Sequence, residues 1–390
     1  MKKILALLLA LVLVLSACGE ATTETTTDEP AETGETTETT ETAETTDEPG
    51  LKVVIVTSPS GVDDGSFNQD NYNGILAFQK ANPNTEVKAV QETTGDVMAC
   101  IQSVRDVVAD YDVIVTPGFQ FAGVSEIAEE NPDKKFILID SEPTPVGDKK
   151  EFENIYSMMF AEEESGFFAG VAAALETKTG KVAVVNGIAY PSNVNYQYGF
   201  ESGVNYAVKH LGAKAEVVEL ASNPGTDVTG ANVGGNYIGD FADEPGGKVV
   251  GKSLIDQGVD IMLVAAGGSG NGVFTAAKEA EGVMVIGCDV DQYDDGVVGD
   301  KNIILTSALK VMGPNVEKAL NMVKDGTFKG ANVVLRADTD STGYVSADGR
   351  NSLSDDTKAK LEEVYGKLKA GEIVPAANFN GHTPDAFPGL

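Results

Sequence analysis

LKVVIVTSPSGVDDGSFNQDNYNG, Leu51 to Gly74, contains the unit from which the rest of the chain is built. Val53 to Val56 is β-branched and apolar at successive positions, as expected for a parallel strand covered on both faces. The loop that follows sets one large ring, Phe67, among Asp63, Asp64, Ser66 and Asn68. Connecting loops rarely place an apolar ring in such company, so Phe67 needs an explanation.

The same alternation continues. KVVIVTS, TEVKAV, YDVIVTPG, KKFILID, KVAVVNG, AEVVEL, VDIMLVAAGG, GVMVIGCD, NIILTSA and ANVVL are separated by amphipathic segments such as DVMACIQSVRDVVADY and DDTKAKLEEVYGKLKAGE. About ten strands exceed one ordinary doubly wound sheet, which predicts an α/β protein of two Rossmann-like lobes with parallel sheets and a hinge between them. Ligands of such sheets bind beyond the C-terminal strand ends. The residues there are Asp63, Asp64 and Phe67; Gly118 and Phe119; Asp140; Asn186; Gly267 and Gly268; Asp289; and Lys310.

Ahead of Leu51, MKKILALLLALVLVLSAC pairs a basic start with about twelve apolar residues, too few for a membrane-spanning helix, which needs roughly 20. Its LSAC resembles the lipobox of bacterial lipoproteins, which implies a signal peptide over residues 1–17 and a lipidated Cys18. The remaining residues up to 50 are mostly Thr and Glu, with eleven acids and no base. With almost nothing apolar to bury, this segment is expected to be a disordered tether spanning roughly 30 Å.

The whole chain has a net charge of -32, and residues 51–390 keep -23 of it. That balance argues against coating nucleic acid or lying on an anionic membrane. The two histidines, His210 and His382, have no metal-ligand spacing, and no Ser-His-Asp set or G-x-S-x-G elbow is visible. Gly246 to Ser253 matches the P-loop pattern, but FADEP precedes it where a buried strand is required, and it reads as the start of a helix. No cofactor, metal or catalytic residue is therefore expected. Cys100 and Cys288 either pair or stay as buried thiols.

Asp140 and Asp289 suit a diol, Phe67 and Phe241 could sandwich a planar ring, and Lys310 and Asn68 offer donors. Taken singly, each Phe fits a core position and each Asp a helix cap.

VDDGSFNQ, ILID, FAEEESGFFAGVAAA, GDFADEPGGK, VAAGGSGNGVF, GCDVDQ and TSALK occur in the order seen in the basic membrane protein family, which the chain resembles over residues 51 to 375. These are lipid-anchored substrate-binding proteins of ABC importers, including purine nucleoside receptors, with a type I periplasmic-binding-protein-like fold. The resemblance implies that Phe67 and Phe241 stack on a base beside Asn68. It assigns the ribose to Asp140 and Asp289, with Gly267, Gly268 and Lys310 completing the site. Purine-binding members usually carry an aspartate where this chain has Ser58.

The resulting expectation is a monomeric, extracytoplasmic lipoprotein that captures a nucleoside, a purine by resemblance, and delivers it to ABC permease subunits. One lobe would comprise 51–158 with 290–325, the other 159–289 with 326–390. The alternatives are a riboflavin, other aromatic or sugar ligand; a ligand-sensing lipoprotein without transport; and a nucleoside hydrolase using Asp63, Asp64 or Asp140.

Overall fold

The computed structural model describes residues 50–390; the signal segment, Cys18 and nearly all of the acidic tether lie outside them. Two six-stranded sheets form the framework. In the first, the spatial order is Ala331–Leu335, Ile155–Phe160, Lys135–Ile139, Val113–Pro117, Lys52–Thr57 and Glu86–Gln91, all parallel. The second runs Thr342–Tyr344, Ile304–Lys310, Met284–Asp289, Ile261–Ala265, Lys181–Asn186 and Glu216–Val217, parallel except for its first strand.

The ten apolar runs all form strands, and the two-sided burial read from them holds: Val113–Pro117 and Ile261–Ala265 are buried along their whole length. Each sheet has a core on both faces. Ile75, Phe78, Met312 and Val316 cover one face of the first sheet, and Cys100, Val104, Phe121 and Ile127 the other. The P-loop-like stretch lies inside the helix Glu244–Asp256, with Val250 and Leu254 buried but Val249 exposed.

The lobe boundaries differ from those expected. Strand Ile304–Lys310 pairs with Met284–Asp289, so residues 290–310 belong with the second sheet and not the first. Strand Ala331–Leu335 pairs with Ile155–Phe160, so it completes the first sheet and not the second. Sheet pairing is long-range, and the order of runs along the chain does not reveal it. The observed halves are 52–160 with 312–335, and 162–310 with 342–390.

The chain crosses between the halves at Ala161, at Val311, and between Leu335 and Thr342. The crossings are tied together: Ala161 N–H donates to Leu335 O at 2.9 Å, and Val311 N–H to Ser341 O at 2.9 Å.

Candidate functional site

The C-terminal strand ends of the two sheets face a cleft that is partly open to solvent. Ser58, Asp64, Phe67, Asn68, Phe119, Asp140, Phe241, Gly267, Asp289 and Lys310 all line it. Gly268 does not; it lies behind Phe241, whose carbonyl oxygen would be 3.1 Å from a Cβ at that position.

On the first half, Asp64 is fixed by backbone. Its carboxylate accepts from Ser66 N–H at 3.0 Å, Asn68 N–H at 2.9 Å and Gln69 N–H at 3.0 Å, so it caps the helix Phe67–Ala81. This is the cap reading of the Asp63–Asp64 pair. Burial raises its pKa to about 6 despite these bonds. Asp63 is exposed and lies outside the lining. The cap sets Phe67 at the first helical position, where its ring packs against the first core and lies 4.7 Å from Lys310 Nζ. Asn68 Nδ2 donates to Ser58 Oγ at 3.3 Å, while Asn68 Oδ1 is buried with no partner.

On the second half, the glycine-rich turn holds Phe241. Ser269 N–H donates to Phe241 O at 3.0 Å, Ser269 Oγ donates to Asp240 O at 2.9 Å, and it accepts from Asp243 N–H at 2.8 Å. Gly267 lies beside the Phe241 side chain in left-handed backbone, at φ 51°, a conformation that a residue with a Cβ would adopt only under strain. Tyr190 stands between Phe241 and Phe119, with ring centroids 6.0 and 5.4 Å away.

The floor of the cleft is ionic. Lys310, at the end of its strand, brings Nζ to 2.5 Å from Asp140 Oδ2 and 3.5 Å from Asp289 Oδ1. The Lys310 pKa is raised: burial disfavours the charge, but Asp140, Asp289 and Glu162 together outweigh it. Asp140 is raised, chiefly by burial and against the pull of Lys310. Asp289 accepts from Tyr196 OH at 2.9 Å and from Ser66 Oγ at 3.1 Å. The Ser66 bond joins the two halves, as does Ser60 Oγ donating to Phe241 O at 3.1 Å. Cys288 and Cys100 are buried free thiols, and burial raises both.

Reading residues after strands missed Tyr196, Tyr190, Asn193 and Glu162, because helices or their leads carry them. A signal was present in SGFFAG and YGFESG. Gly166 and Gly170 of the helix Glu162–Glu176 face Gly199 and Gly203 of the helix Pro191–His210, and a Cβ on any of them would strike the facing backbone. That close crossing brings the starts of both helices, with Glu162 and Tyr196, to the cleft floor. Among the described residues there is no cluster suited to a metal ion and no helix long and apolar enough to cross a membrane.

The fold recurs in a solved structure similar to the chain. The solute-binding protein of an ABC transporter system from Aeropyrum pernix K1 matches with a TM-score of 0.70 at 23% identity, covering 85% of this chain and 94% of that one. It shares the type I periplasmic-binding-protein-like fold. A Listeria monocytogenes protein named CD4+ T-cell-stimulating antigen is 31% identical over 82% of this chain and 87% of its own length. The ABC transporter nucleoside-binding protein BmpA of Lactococcus lactis is 29% identical over 82% and 88%. The family model of ABC transporter substrate-binding proteins of PnrA-like type matches residues 51–232 and 229–377. The chain is therefore a member of the Bmp family, the PnrA-like substrate-binding proteins of ABC transporters.

Proposed function

We propose that this substrate-binding protein captures a nucleoside, purine in the first instance, and presents it to the permease of an ABC importer. The observation that carries the reading is the pair Asp140 and Asp289, held on either side of Lys310 in a cleft that Phe67 and Phe241 also line. A ribose diol donates to carboxylates, and a base offers a flat face to aromatic rings. The unpartnered acceptor Asn68 Oδ1 supports a ligand that brings its own N–H or O–H. The printed name of the Lactococcus lactis relative supports the same class.

The ligand bridges the two halves and favours the closed arrangement by its greater affinity for it. Binding proteins of ABC transporters act outside the cytoplasm, and the leader with its LSAC supports anchoring through a lipidated Cys18.

Calorimetry tests the reading, with the purified protein first unfolded and refolded to strip carried-over ligand. The panel is adenosine, guanosine, inosine, cytidine, uridine, riboflavin and ribose. One-to-one binding of a nucleoside is the expected result, and purine against pyrimidine shows what Ser58 does in place of a carboxylate. Silence across the nucleosides with binding of riboflavin or ribose would replace the ligand and keep the cleft.

A further inference from the structure

Three carboxylates surround one ammonium on the cleft floor. Besides its contacts with Asp140 and Asp289, Lys310 Nζ lies 3.6 Å from Glu162 Oε1, and none of these side chains is more than 9% exposed. Fully ionised, the group would bury two negative charges without a counter-charge, at a desolvation cost of several kcal/mol per ion. Two oxygens mark the imbalance: Asp140 Oδ1 and Glu162 Oε1 are buried and accept no hydrogen bond. Both atoms are shut off from solvent, although Asp140 as a residue lines the cleft. Glu162 is 1% exposed and sits behind the lining, so its partner has to come from the protein.

The other groups around Glu162 show where a proton belongs. Asp289 already receives Tyr196 OH and Ser66 Oγ, and Asp140 holds the shortest contact to Lys310. Glu162 has only the distant Lys310 and, at its second oxygen, Asn195 Nδ2 at 2.9 Å. Asp140 and Glu162 flank the same ammonium, with Asp140 Oδ2 2.5 Å and Glu162 Oε1 3.6 Å from Lys310 Nζ. We propose that Glu162 is a neutral carboxylic acid at neutral pH and donates its proton to Asp140 Oδ1, fixing the carboxylate that Asp140 presents to the cleft.

The balance of forces agrees. Burial first, then the charge of Asp140, holds the Glu162 pKa well above the usual carboxylate range; Lys310 and Asn195 oppose this and Glu163 adds to it. Tyr196 is raised well above its ordinary value by burial, so it remains neutral. Glu162 is on this account a positioning residue. Its effect on binding rests on the reading that Asp140 receives the ligand; its protonation does not.

Infrared spectroscopy of the ligand-free protein tests the proton directly. At neutral pH the spectrum should contain the C=O stretch of protonated carboxyls, and Glu162→Gln should remove one component; an unchanged band overturns the proposal. If the variant does not fold, wild-type protein carboxyl-labelled at glutamate carries the test by carbon NMR. At neutral pH one protonated glutamate should be present beyond Glu163 and Glu201, which titrate at about 7 and about 8. Finding no protonated glutamate beyond those two at neutral pH overturns the proposal. Neither result depends on which ligand the cleft takes. Once calorimetry has given a ligand, wild-type affinity should fall as pH rises through the Glu162 titration while Glu162→Gln stays level. Parallel profiles would sink the positioning role.

Discussion

Asp140 and Asp289 are structural counterparts. Counted from the edges Glu86–Gln91 and Glu216–Val217, Asp140 follows the fourth strand of the first sheet and Asp289 ends the fourth strand of the second. Both adopt left-handed backbone, with φ 59° and 69°, and both face Lys310. That conformation costs a non-glycine residue roughly 1–2 kcal/mol, although aspartate is among the more tolerant types. Strain of this kind gathers at functional sites. Here it turns a carboxylate from each half toward a single ammonium.

Lys310→Met tests how far the floor depends on that ammonium. Removing one partner of a buried ion pair strands the others, so unfolding stability should drop by about 3–5 kcal/mol at neutral pH. Urea denaturation measures this. A loss under about 1 kcal/mol would mean that the carboxylates find other compensation.

Phe67→Ala should weaken ligand binding by about 1–3 kcal/mol if the ring stacks on the ligand. Unchanged calorimetry with a lower melting temperature would instead make Phe67 a core residue, as its packing on the first core also allows. Gly187→Ala probes Phe241 without touching its chemistry. A Cβ there would land on the Phe241 ring, so binding should weaken through displacement of the ring alone.

Ser66→Ala removes a hydroxyl that donates across the halves to Asp289 Oδ2 at 3.1 Å and Cys288 O at 3.2 Å. Loss of this tie should favour the open arrangement, weakening binding by about 1 kcal/mol. Small-angle scattering of the ligand-free protein should show a larger radius of gyration than wild type. An identical radius and affinity would remove Ser66 from any part in closure.

Glu163, 7% exposed, has its pKa raised to about 7, chiefly by burial and against Arg336 3.6 Å away. A raised acid binds its proton more tightly in the folded state. Its contribution to stability is therefore full below the unfolded value of 4.5 and declines as pH rises to about 7. Glu163→Gln should flatten stability across that window and, near pH 8, exceed wild type by about 1–3 kcal/mol. Urea midpoints across pH measure it, and parallel curves for the two proteins would show that Glu163 is ionised without penalty.

Much of the framework was legible because parallel strands buried on both faces read as uninterrupted apolar runs. Ile155–Phe160 escaped because IYSMMF mixes a serine and a tyrosine into its apolar residues, and Thr342–Tyr344 is too short to leave a pattern. The strand-end rule led to Phe67, Asp140, Asp289 and Lys310. It could not lead to Tyr196 or Glu162, whose positions depend on how closely two helices cross. Nor could it assign Ile304–Lys310 to its sheet, since the helix Met312–Lys324 that follows at once packs in the opposite half.

That exchange has a consequence for how the protein is made. Synthesis delivers the first five strands of the N-terminal half early, yet Met312, Val316 and Leu320, which seal one face of them, and the edge strand Ala331–Leu335 arrive last. Until then Ile75 and Phe78 lack part of their cover, and Ile155–Phe160 is an open edge ready to pair with another chain. A chain cut short before Met312 would therefore leave this half with both an apolar face and a strand edge uncovered.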